Sequence, residues 1–258
     1  MKVSGIIIIL SLVHAPLATQ TKWVREKHES YSLFYTGSDK KNIPEYNQLL
    51  KVGIESVNQF CGSKFQNEFE VFVHPNRQSL DSAWQKDWGQ PDFKSQCWMV
   101  ASGVGKKLDM ISPIRWNEQA CEHKYEDKIK TQQLITHELF HVFHGQRNVS
   151  PDFSNTENID WFVEGLANYA SGQFDTERTN EVKKALHENK VPARLDDFWT
   201  GKIRYGLSGS VIKFIDAKFG RAKLLELLQY NKKSEILATL KISEENLLAE
   251  WRKYINEI

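Results

Sequence analysis

Residues 136–145 read T-H-E-L-F-H-V-F-H-G, and within them His137, Glu138 and His141 form H-E-x-x-H. A helix is predicted from about Glu126 to His144, with Gly145 as its stop. Residues four apart on a helix lie only ~40° apart around its axis. The imidazoles of His137 and His141 are therefore expected to point at one place. Neutral imidazole is a good ligand for Zn²⁺, and two of them one turn apart suit its bond lengths and angles. Glu138 lies ~100° round from His137. That is too far to join the two histidines as a ligand, but near enough to reach a water beside the metal. The pattern predicts metal-assisted hydrolysis with Glu138 as general base.

A catalytic zinc site needs a third protein ligand and an open fourth position. Glu164 stands 23 residues after His141, in I-D-W-F-V-E-G-L-A-N-Y. It falls in a second predicted helix, about Glu157 to Ser171, and Gly165 beside it permits another helix to come close. Asp160 is a second candidate on the same helix face. The small residues of Gly165-Leu166-Ala167 favour Glu164. His144 shares the face of His137 within ~20° but sits nearly two turns away, so it is expected to flank the metal rather than bind it. His74, His123 and His187 have no matching spacing.

The rest of the chain bounds these expectations. Its 258 residues carry 34 basic and 33 acidic side chains, a net charge of +1. That balance argues against a nucleic-acid or anionic-membrane surface. The eight Trp imply a well-filled core or an aromatic-lined cleft. Lys2, the apolar run Ile6 to Val13, and then Ala15 and Ala18 have the form of a secretory signal peptide, about residues 1–18, with its end between 15 and 20. Later stretches fall short of the ~18 apolar residues a membrane span needs. The mature chain is expected to be secreted or periplasmic, without a membrane span. Its oligomeric state is left open. Export makes one disulfide plausible among Cys61, Cys97 and Cys121. Three pairings exist, and Cys97–Cys121 is favoured because both precede the metal helix with a strand pair between them. Asn148-Val149-Ser150 has the form of a glycosylation sequon, followed by Pro151.

Along the chain, Tyr31–Thr36 and Phe69–Val73 read as strands, with a helix from Ile43 to Phe60 between them. Asn76 has the form of an N-cap for a helix to about Trp88. Two further strands are expected, Cys97–Ala101 and Leu108–Ile111, around a turn at Ser102-Gly103-Val104-Gly105. After residue 125 the pattern is helical throughout: about Glu177–Glu188, the Leu195–Trp199 region, Tyr205–Phe219, Ala222–Gln229, Lys233–Leu240 and Ser243–Tyr254. The expected fold is α+β. A small mixed sheet with helices forms the first lobe (about 19–146), helices form the second (147–258), and the cleft lies between them in one catalytic domain.

H-E-L-F-H followed by W-F-V-E-G-L-A resembles the gluzincin metallopeptidases, a zincin-like group, and most closely the peptidase MA-like single-domain members. Glu70 to Pro75 is similar to the family's strand before its first crossover. Tyr205 to Gly220 is similar to its tyrosine-bearing helix, and Leu247 to Tyr254 to its closing helix. The resemblance implies one Zn²⁺ held by His137, His141 and Glu164, with Glu138 as base and Tyr205 as a phenolic donor to the transition state. It also brings departures. The interval from His141 to Glu164 is longer than in the best-known members. Asn168 stands where a carboxylate often supports a zinc histidine, and its amide oxygen is expected to accept the imidazole N–H instead. The expected function is a secreted zinc peptidase acting on a peptide or protein substrate, most simply an endopeptidase. A zinc hydrolase of a non-peptide substrate and a catalytically idle peptide-binding relative are the alternatives.

Overall fold

The computed structural model describes residues 22–258, and the expected signal peptide lies outside them. The first half is built on a five-stranded mixed sheet. In chain order its elements are β1 (Trp23–Lys27), β2 (Tyr31–Thr36), α1 (Ile43–Cys61), β3 (Phe69–His74), α2 (Arg77–Asp87), β4 (Ala101–Val104), β5 (Lys107–Ile111), α3 (Trp116–Gln119) and α4 (Lys128–Gly145). The spatial order is β1-β2-β3-β5-β4. β2, β3 and β5 run parallel, while β1 and β4 pair antiparallel at the two edges.

Local chemistry accounts for most of these boundaries. α1 opens with Pro44 in its first turn and closes on Gly62, whose φ of 63° is the left-handed conformation a helix end favours. The Asn76 side chain accepts the Ser79 N–H at 2.9 Å, and the Asp127 side chain accepts the Lys130 N–H at 3.1 Å. Each such cap stabilises its helix by about 1 kcal/mol. β1 was not expected. Its residues alternate poorly and lie mostly exposed, so it forms because β2 offers it an edge.

The hairpin is displaced from its expected register. Cys97–Val100 is not a strand, and Ser102–Val104, expected as the turn, is the core of β4; the turn falls at Gly105-Lys106. Arg77 explains the shift. Its guanidinium donates to the carbonyls of Gln96, Cys97 and Met99, taking up acceptors a strand would need for its ladder. Cys97 is also joined to Cys121 by a disulfide. Leu108–Ile111 pairs with β3 on one side and β4 on the other, so it is interior to the sheet, and the free edge on that side belongs to β4.

The second half is helical: α5 (Asp160–Ala170), α6 (Thr176–His187), α7 (Arg204–Phe219), α8 (Arg221–Glu226), α9 (Lys233–Leu240) and α10 (Glu244–Glu257). One hydrophobic core runs through both halves, from Leu33 and Val71 of the sheet through Phe140 and Phe143 to Leu166, Ile212 and Trp251. Burying a side chain of this size contributes about 1.5–3 kcal/mol. A smaller cluster of Leu80, Trp84, Val100, Ile111, Trp116 and Leu134 fills the space around α2. Asn148 of the sequon is buried, and its amide donates to the carbonyls of Leu228 and Tyr230 at 2.8 and 2.9 Å, so it is a tie between loops. Among the described residues no helix is long and apolar enough to cross a membrane.

Candidate metal centre

α4 is buried along most of its second half, and it lies against α1, β4 and α5. Close approach on two sides depends on missing side chains. A β-carbon on Gly103 of β4 would stand 2.1 Å from the Glu138 carbonyl, and one on Gly165 of α5 would stand 2.6 Å from the Ser208 carbonyl in α7. The first contact lays the edge strand along α4. The second seats α5, and with it Glu164, against α7. Gly145, expected as a helix stop, is helical; a β-carbon there would stand 2.4 Å from the Pro151 carbonyl, so it too marks a close approach.

His137, His141 and Glu164 converge. The two Nε2 atoms are 3.0 Å apart, and Glu164 Oε2 lies 3.3 Å from that of His137 and 3.6 Å from that of His141. A tetrahedral ion with bonds of about 2.0–2.1 Å holds its ligand atoms roughly 3.3–3.4 Å apart. The three separations bracket that value, and two imidazoles with one carboxylate are a donor set zinc accepts. The residues present therefore fit the metal. Among the described residues no other group of three potential ligands gathers in this way. Burial opposes charge on Glu164, but the adjacent His141 and His137 outweigh it and hold the carboxyl well below the usual carboxylate range.

Glu138 faces the same space without joining the trio. Its Oε2 is buried and finds no hydrogen-bond partner among the described residues. Burial pushes its carboxyl up to about 7, against the lowering influence of His137. A carboxyl poised there can both take and return a proton near neutral pH.

The support for His137 differs from expectation. Its Nδ1 lies 2.9 Å from Gln173 Oε1, so Gln173, in the turn after α5, accepts the imidazole N–H. Asn168 stands one step back, its Nδ2 3.4 Å from the same oxygen. Its own Oδ1 has no partner among the described residues, because α7 crosses there at Gly209 and fills the space. Gln173 carries no sequence signal, since it lies outside any helix and 36 residues from His137.

The remaining candidates fall where the geometry leaves them. His144 is fully buried between Phe153 and Phe162 and apart from the trio. Burial drives its pKa down to about 3. His74 bonds Ser79 and Asp109 at the sheet. Asp160 is exposed at the cavity wall. Tyr205, at the start of α7, brings its ring to 6.5 Å from that of His137. Burial, and then the charge of Glu164, raises its pKa to about 12, so the phenol keeps its proton and can donate it in a hydrogen bond.

Two adjoining cavities, about 400 and 480 Å³, open on either side of these groups. The first reaches past Tyr205 to Arg178 and Arg204; the second is bounded by β4, Trp88, Phe153 and Val163. The arrangement suits a metal-dependent hydrolytic reaction in general. No protein-family model and no curated protein matches the chain.

Proposed function

We propose that the protein is a zinc-dependent peptidase of the gluzincin type that cleaves within peptide chains. The observation that carries this reading is the spacing of the three donor atoms, 3.0, 3.3 and 3.6 Å, with the unpartnered Oε2 of Glu138 beside them in an open cleft. A zinc ion held by His137, His141 and Glu164 supplies Lewis acidity at this point of the cleft. Glu138 takes the proton of the attacking water and returns it to the departing amine. Tyr205 donates its phenolic hydrogen bond to the oxygen on which charge develops.

β4 supports a peptide as the substrate. Its outer edge faces the cleft, and an extended chain laid along it would gain strand hydrogen bonds with an amide next to Glu138. The expected export signal adds that the enzyme works as a secreted or periplasmic chain, about residues 19–258, as one catalytic unit. Metal analysis of the purified protein is the direct test, with about one zinc per chain expected. Glu138→Gln should keep the metal and lower turnover of a peptide library about 10²–10⁴-fold. Full activity in that variant, or a chain that binds no zinc, would remove the reading.

A further inference from the structure

Arg204 and Arg178 occupy the wall of the cleft next to the trio, and the mechanism uses neither. The Arg204 guanidinium carbon lies 4.9 Å from the ring centre of Trp98, 5.0 Å from that of Trp199 and 5.2 Å from that of Tyr205. The three rings come from the segment before β4, the turn before α7 and α7 itself, so the cage holds the guanidinium in place from several sides. Arg178, on α6, approaches the same Tyr205 ring at 5.3 Å, and its Nε donates to the Gln173 carbonyl at 3.0 Å. Aromatic faces attract a cation without neutralising it.

Neither charge is neutralised by an acid. Among the described residues no carboxylate lies within 4.0 Å of either guanidinium. Glu122, Asp175, Glu177 and Glu181 border the same cavity, but Asp175 is engaged in capping α6 through the Arg178 backbone N–H, and the others stand beyond ion-pair reach. Both guanidinium groups border one cavity, so an anion bound there is attracted by each of them. A guanidinium also presents a planar fork of donors that matches a carboxylate.

We propose that Arg204, with Arg178 beside it, determines specificity by binding a carboxylate of the substrate close to the bond that is cut. The inference rests on the peptidase reading and names its substrate class: a peptide with an acidic side chain, or its own C-terminal carboxylate, on the α6–α7 side of the trio. Trp98, Trp199 and Tyr205 act as positioning residues for the Arg204 fork.

The test is binding, read by tryptophan emission, of acetylated alanine-based hexapeptides to the zinc-loaded Glu138→Gln protein. One series scans Glu against Gln through each position with an amidated end. A second compares a free with an amidated C-terminus. At least one carboxylate peptide should bind about tenfold more tightly than its amide counterpart. The series in which the gain appears identifies a side-chain or a terminal carboxylate as the source. The preference should persist after chelation and fall to near unity in Arg204→Gln, with Arg204→Lys between. Arg178→Gln should weaken it as well, and circular dichroism checks that each variant is folded.

A preference that is absent, that survives Arg204→Gln, or that disappears on chelation overturns the inference; in the last case the metal holds the carboxylate. Cleavage of all peptides alike by a zinc-bearing parent protein would sink the inference and leave the peptidase reading intact. A carboxylate preference in binding, with no cleavage of any peptide, would remove the peptidase reading alone.

Discussion

Gly103 of the edge strand lies against Glu138 of α4 so closely that a β-carbon at residue 103 would stand 2.1 Å from the Glu138 carbonyl oxygen and 3.1 Å from the β-carbon of His141. The two backbones are in contact, and backbone does not step aside as a flexible side chain does. Gly103→Ala should therefore push β4 off α4 and shift the Glu138 carboxylate. Overpacking of this kind costs about 1–3 kcal/mol. Urea unfolding should show the loss, and turnover should fall further than stability alone explains. Parent-like stability together with parent-like turnover would mean the strand and helix are not so close.

Gln173 accepts the Nδ1–H of His137 at 2.9 Å and so fixes Nε2 as the nitrogen that faces His141 and Glu164, where a metal would be held. Gln173→Ala should weaken zinc binding about 10- to 100-fold, as loss of such an outer partner does elsewhere. Asn168→Ala, one contact further out, should weaken it less. Competition with a chromogenic chelator measures both. The reverse order of effects would restore Asn168 as the direct support.

The Cys97–Cys121 disulfide closes a loop with a sequence separation of 24 residues. By chain entropy such a closure stabilises the folded state by about 3 kcal/mol. Replacing both cysteines by Ser should lower the melting temperature accordingly. Because Trp98 and His123 flank the bridge and border the cavity beside Glu138, peptide binding should weaken too. An unchanged melting temperature on reduction would show that the Arg77 hydrogen bonds hold this segment without the bridge.

His144 gives a pH dependence whose sign is set by burial. Its pKa falls from an ordinary 6.5 to about 3, chiefly through desolvation, with the charges of His141 and Arg147 adding to the effect. Between those values the unfolded chain binds a proton that the folded chain refuses. Stability is therefore full above pH 6.5 and declines as pH falls toward 3. His144→Phe, in a pocket already lined by Phe153 and Phe162, should flatten that decline. Urea midpoints of the metal-free parent and variant between pH 7 and 4 make the comparison, since metal release then plays no part. Parallel curves would show that other groups govern the acid response.

Several features are legible in the residues because they depend on neighbours close in the chain. The bounds of β2 and of α9 follow from apolar pattern, and the caps at Asn76 and Ser243 follow from residue type. The β4 register is not legible, because the acceptors that decide it are occupied by Arg77 some 20 residues away. β1 escapes a sequence reading for a similar reason: its residues form a strand through β2, not through their own alternation.

The pairing of His137 with His141 needs no more than 3.6 residues per turn, so the sequence by itself determined two imidazoles on one face of a helix, with Glu138 beside them. It also marked Glu164 as a candidate, through a carboxylate next to a small residue. The tertiary structure decided that Glu164 closes to 3.3 and 3.6 Å, that Gln173 rather than Asn168 meets His137, and that β4 with Gly103 runs along the helix as the free edge. The division follows from the range of the forces involved. Helical geometry is set within one turn, whereas the approach of α5, the turn after it and β4 to α4 depends on packing between segments whose separation in the chain leaves no periodic trace.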